Sequence, residues 1–138
     1  MLPTKSILLN FLTYKGKKSV SEKLLNKSLR KIQKTVLKNS KLLLKVSIRN
    51  LSPVLSSTKI KRRKAVTLVP FFLKKPKRLS QSIKLIVKGS KTHKSNFIKT
   101  FSKEVIDSSN NKGIIKSKIK DIHFNSFNNK NFSHFRWF

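Results

Sequence analysis

Val54 to Leu73 reads VLSSTKIKRRKAVTLVPFFL. β-Branched and aromatic residues stand at both ends of this stretch. Between them lies a charged centre, Lys59-Ile60-Lys61-Arg62-Arg63-Lys64. Such a pattern predicts two short strands joined by a basic tip. Most of the chain outward from it carries helical spacing, so the expectation is a mainly helical chain with one β-hairpin arm.

Upstream, Pro53 ends whichever element precedes the arm. Leu44, Val46 and Ile48 alternate with Lys45, Ser47 and Arg49, which suits a strand, while Leu44, Ile48 and Leu51 suit a helix equally. Periodicity leaves both open. Further upstream, Leu25, Leu29, Ile32 and Val36 share one helical face, with Lys23, Lys27, Lys34 and Lys38 opposite. Ser19 and Glu22 have capping-box spacing at the start of that helix. Before it, a short stripe of Ile7, Leu8, Phe11 and Leu12 stops at Tyr14-Lys15-Gly16.

Downstream, Pro76 suits the first position of another helix, lined by Leu79, Ile83, Ile86 and Val87, and Gly89 suits its left-handed close. One more helix runs from about Ser95, with Ile98, Phe101 and Val105 inward, to Asn110-Asn111-Lys112-Gly113. A last one carries Ile115, Ile119 and Ile122 to the Phe127 region. This predicts a single domain over residues 1–127, with the arm at about 54–73 and a C-terminal tail over 128–138.

Charge narrows the function. The 138 residues hold 34 Lys or Arg against four Asp or Glu, a formal +30. A chain with so few internal counter-charges repels itself and calls for an external polyanion. Nucleic acid is the commonest one, and an anionic membrane surface is the rival. With no cysteine, disulfides and thiolate metal sites are excluded. The longest apolar run, Leu68 to Leu73, is far short of the ~20 residues a membrane-spanning helix needs.

Candidate contacts follow the lysines. The tip, Lys59, Lys61, Arg62, Arg63 and Lys64, reads as a finger whose like charges become tolerable among phosphates. Lys15, Lys17 and Lys18, and then Lys74, Lys75, Lys77 and Arg78, sit at helix starts, where free N–H groups and the helix dipole favour anions. Phe124, Phe127, Phe132, Phe135, Trp137 and Phe138 could stack on unpaired bases, although half of them suffice as ordinary packing residues. Glu104 and Asp107 lie three apart among Lys99, Lys103 and Lys112, which fits internal counter-charges better than a metal site. His123 and His134 lack the carboxylate partners of a nuclease, and no HExxH, Walker loop or GxGxxG is present. The residues read as a binder, with no enzyme and no cofactor.

The C-terminal string carries a specific resemblance. Asp121-Ile122-His123, Asn129-Lys130, Phe132, His134 and Arg136-Trp137 resemble the ending D-V-H-x(5)-N-K-x-F-x-H-Y-R-W of bacterial-type small-subunit ribosomal protein seven. Glu104-Val105-Ile106-Asp107 with Asn111-Lys112-Gly113 is similar to that family's N-E-L-x-D-x-x-E-N-K-G segment. Gly16-Lys17-Lys18-Ser19, Asn50 with Pro53, and Val69-Pro70 resemble its G-K-K-S, N-x-x-P and hairpin V-P.

The resemblance implies a bundle of about six helices with a protruding basic β-hairpin between the third and fourth, so 41–50 should be helical. It further implies binding to the 3′ major domain of small-subunit rRNA, a role in assembling the subunit head, and a hairpin directed at exit-site tRNA and the mRNA exit, near ribosomal protein eleven and other head proteins. By matching position, Lys17, Lys18, the hairpin's basic residues, Lys74, Lys77, Arg78 and Lys112 become rRNA-contact candidates, and Lys130, Arg136 and Trp137 of the C-terminal string are counted with them.

Departures from the family pattern are as instructive. Arg63 and Lys64 occupy the tip where a Gly-Gly pair is usual, and neither adopts positive φ readily. Only Met1 to Thr4 precede the first helix, most family acidic residues are absent, and Phe138 follows the final Trp. Lysine bias (28 Lys to 6 Arg), abundant Asn, Ile and Phe, and the lack of a presequence suit a gene retained in an organelle, a mitochondrion before a plastid. The alternative function is a free-standing nucleic-acid compactor or anionic-membrane binder.

Overall fold

The computed structural model describes residues 4–62, 65–92 and 96–135. Six helices, α1 (Thr4–Leu12), α2 (Lys18–Val36), α3 (Ser40–Asn50), α4 (Lys75–Thr92), α5 (Phe97–Ser109) and α6 (Ile114–Asn128), are followed by a 3-10 turn, Lys130–Phe135. Strands β1 (Leu55–Arg62) and β2 (Ala65–Phe72) form an antiparallel hairpin between α3 and α4, in register from Leu55↔Phe72 to Arg62↔Ala65. The mainly helical class with one β arm is therefore what the chain adopts.

Helix α5 is the hub of the bundle. It packs against α2, α3 and α4, and its Phe101 and Val105 are fully buried among Leu25, Ile32, Ile48, Ile83 and Ile115. Helix α1 closes one side against α2 and α4, and α6 reaches from α4 and α5 to the hairpin base. The arm is anchored at one end only. Val69 and Pro70 are buried, whereas Lys59, Lys61, Ala65 and Val66 are exposed, so the distal half stands away from the bundle.

Residues 40–50 resolve as a helix because tertiary packing selects the 3-and-4 spacing. Leu44, Ser47, Ile48 and Leu51 are buried while Val46 faces solvent; for Val46 and Ser47 this is the reverse of what alternation would give. Asn39 caps this helix, its side chain accepting the Lys41 N–H at 3.1 Å.

Three local expectations need correction. Ser19 and Glu22 form no capping box: α2 begins two residues earlier than that cap would place it, with Lys17 at the N-cap and no side-chain cap bond. The preceding turn fixes this start, since Lys15 and Gly16 take φ of 49° and 73° and Lys18 N–H donates to Gly16 O at 2.8 Å. Pro76 is not the first residue of α4, which begins at Lys75. Gly89 does not close α4; the helix runs on to Thr92, and φ at Gly89 is not positive. Its lack of a side chain serves packing instead. A Cβ there would stand 2.8 Å from Ile115 Cδ1 and 3.0 Å from Cγ1, so the glycine lets α4 and α6 approach. The start of α5 is capped by Asn96, which accepts the Ile98 N–H at 3.0 Å; Ser95 lies outside the described residues.

Candidate nucleic-acid interface

Helix starts set the electrostatics. None of α1 to α6 carries an acidic residue in its first turn, so nothing there offsets the partial positive charge of the free N–H groups. At α2 the exposed Lys15, Lys17 and Lys18 surround such a start. The Lys15 amine lies 5.5 Å from the Tyr14 ring centroid, which leaves the ring in place as its apolar support.

The second cluster stands where the arm returns to the bundle. Lys74, Lys75 and Lys77 are exposed, whereas Arg78 is half-buried and its Nε donates to Leu73 O at 2.8 Å. Arg78 thus fastens the end of the arm to α4 as well as adding charge. Lys45 and Arg49 of α3 line one groove with Lys75 and Arg78. Sequence reasoning missed those two; their spacing of four marks one helical face, but only once the segment is known to be a helix.

The other candidates are scattered. Lys59 and Lys61 project from β1. Lys112 is exposed in the turn between α5 and α6, its backbone N–H held by Asp107 O at 2.8 Å. Gly113 takes φ of 99°, and a Cβ there would meet the Asp107 Cβ at 3.2 Å, so this turn requires glycine. Lys130 is exposed, its amine 4.9 Å from the Phe127 ring centroid. The side chain of Arg62, and all of Arg63, Lys64, Arg136 and Trp137, lie outside the described residues, as does Phe138.

Residues weighed for catalysis have structural positions. His123 Nε2 accepts the Val54 N–H at 3.2 Å, tying α6 to the base of the arm. His134 packs beside Phe135, ring centroids 4.0 Å apart, and Phe132 stacks on Phe135 at 6.0 Å. Glu104 is buried and Asp107 half-buried at the α5–α6 junction, in a groove shared with Lys99 and Lys103. Asn50 closes the opposite side of that junction: its Nδ2 donates to Ser108 O at 3.2 Å and Ser109 O at 3.0 Å, and its own O accepts from Lys116 Nζ at 2.8 Å.

The family model for ribosomal protein S7p/S5e matches residues 4–130, which takes in the six helices and the arm. The chain belongs to that family. A small ribosomal subunit protein uS7m of Reclinomonas americana is 30% identical over 130 residues, covering 94% of this chain and 82% of the relative. The uS7 protein of Petrotoga mobilis is 29% identical, covering 96% and 86%, and uS7c of Euglena gracilis is 29% identical, covering 96% and 85%. S7p/S5e membership makes this a ribosomal protein, a structural and non-enzymatic one. No helix of the described residues is long and apolar enough to cross a membrane.

Proposed function

We propose that the chain is a structural component of an organellar small ribosomal subunit, in a mitochondrion before a plastid. It binds the 3′ major domain of the small-subunit rRNA, helps assemble the head, and directs its arm toward the exit-site tRNA and the mRNA exit near ribosomal protein eleven. Residues 1–127 act as the binding domain and 128–138 as its tail. The observation that carries this reading is the coincidence of exposed lysine clusters with acid-free helix starts at α2 and α4, beside an arm whose basic half projects from the bundle. Such surfaces hold phosphates at fixed positions, so affinity comes from counterion release and specificity from RNA shape.

The test is binding to a transcript of the 3′ major domain across a salt series. Lys17→Glu/Lys18→Glu and Lys74→Glu/Lys77→Glu should each weaken binding roughly tenfold and flatten the log–log salt slope by about 0.7–0.9 for each phosphate that is no longer neutralised. Lys77→Glu/Arg78→Glu should act in the same direction but also loosens the arm, because Arg78 holds Leu73 O. Unchanged slopes move the interface elsewhere. Ready displacement by excess duplex DNA or anionic vesicles supports the free-standing compactor instead.

A further inference from the structure

At the base of the arm the surface changes character. Phe72, the last residue of β2, is 63% exposed, and Phe124 and Phe127, one turn apart on α6, are 64% and 63% exposed. Together with Val54 and Leu55 they line a shallow groove between the hairpin base and α6. Three largely exposed phenylalanines on one face are an unusual use of residues that normally dominate cores and interfaces. Phe124 and Phe127 fall in the x(5) stretch of the C-terminal string, so the family pattern does not call for them.

To nucleic acid the groove offers rings to stack on but few hydrogen-bonding groups to read base edges. Its floor is apolar, and the Val54 N–H occupies Nε2 of His123, so only the other ring nitrogen is left to meet a base edge. Lysine is present only at the margins. Lys120 lies one turn before Phe124, and Lys130, beyond the end of α6, holds its amine over Phe127. An apolar floor with cationic ends complements a protein segment that has aliphatic or aromatic anchors and acidic flanks, the usual form of a helix laid in a groove.

We infer that the groove formed by Phe72, Phe124 and Phe127 is a docking site for an acidic, amphipathic segment of another protein of the assembled subunit. The inference rests on the ribosomal reading above but concerns a face separate from the lysine clusters.

The test uses the full chain bound to a 3′ major domain transcript, so that phosphate-binding lysines are occupied. The probe is a dye-labelled helical peptide of about 15 residues with Leu anchors at i, i+4 and i+7 and glutamates at both ends. Saturable binding that falls at least tenfold in Phe72→Ser/Phe124→Ser/Phe127→Ser, and falls likewise when the peptide's leucines become serines, is the expected result. Equal binding to wild type and the triple variant overturns the inference. So does loss of oligouridylate binding in the triple variant with the peptide unaffected, which makes the rings a base-stacking platform. The triple variant should retain transcript binding. Failure of the wild type to bind the transcript indicts the ribosomal reading instead. In intact small subunits, carbodiimide should couple Lys120 or Lys130 to a carboxylate of a second protein; coupling confined to the chain's own carboxylates or to a second copy overturns the inference.

Discussion

Replacing Asn50 should loosen the contact between the ends of α3 and α5. Its side-chain amide bridges Ser108 O and Ser109 O at 3.2 and 3.0 Å, joining the C-terminus of α3 to that of α5, where carbonyls lack helical partners. Each such bond contributes about 0.5–1.5 kcal/mol net, so Asn50→Ala should cost about 1–3 kcal/mol. Asn50→Asp keeps the shape but removes both donors and turns a carboxylate toward two carbonyl oxygens, so it should cost at least as much at neutral pH. Thermal unfolding is best followed by circular dichroism in about 1 M salt, where screening to ~3 Å suppresses self-repulsion. For a domain of this size a loss of ~2 kcal/mol lowers Tm by about 5–10 °C. Asn26→Ala on the exposed face of α2 serves as control and should stay within about 0.5 kcal/mol of wild type. If Asn50→Ala matches that control, the bridge contributes nothing and the N-x-x-P resemblance needs another physical cause.

Further outcomes follow from the same geometry. Gly89→Ala gains up to ~1 kcal/mol of helix propensity but meets Ile115 at 2.8 Å, where overpacking costs about 1–3 kcal/mol, so calorimetry should show a net loss of up to ~2 kcal/mol. Gly89→Leu should lose more, and a stabilised Gly89→Leu would disprove the close approach. His123→Ala leaves the Val54 N–H without its acceptor and should speed hydrogen exchange at Val54, while His123→Gln, which still offers an acceptor, should exchange more slowly than the alanine variant. The free protein at low salt should melt broadly and sharpen as salt is added; a sharp low-salt transition would show that +30 is carried without external anions.

How much of this was legible depended on where the deciding interaction lay. Leu25, Leu29 and Ile32 announced α2 because an amphipathic stripe is local information, and the strands of the arm were plain from their β-branched ends. The start of α2 was not, because the turn through Lys15 and Gly16 overrode the cap that Ser19 and Glu22 spelled out. Gly89 misleads for a related reason: a glycine late in a helix has two uses, and only the position of Ile115, 26 residues on, decides between them. In the interface, the lysine clusters could be read from charge alone. Lys45 and Arg49 could not, since their common face exists only if 40–50 is helical. Phe72 meets Phe124 and Phe127 only through the fold, so their groove has no signature in the linear chain.

Apart from Glu104, the buried polar side chains among the described residues are all serines, and this bears on why the chain needs its partner. Ser28, Ser82, Ser90, Ser102 and Ser126 return their hydroxyls to the carbonyl four residues back, at 2.7–2.8 Å. Each is thereby satisfied within its own helix and acts as a small residue at a crossing; Ser102 also reaches Ser28 O at 3.3 Å between α5 and α2. Helices can approach closely this way, but a serine buries less apolar surface than a valine or leucine, and back-bonding slightly weakens the helix. A core so thinned, inside a +30 shell, gains stability when phosphates bind only the folded form, by about 4 kcal/mol when ligand stands a thousandfold above Kd. The two kinds of substitution should then separate. Asn50→Ala lowers the melting of both the free chain and its RNA complex, whereas Lys17→Glu/Lys18→Glu lowers the complex alone and, by relieving repulsion, raises the free chain. A lysine variant that destabilises both would place those side chains in the fold rather than at the interface.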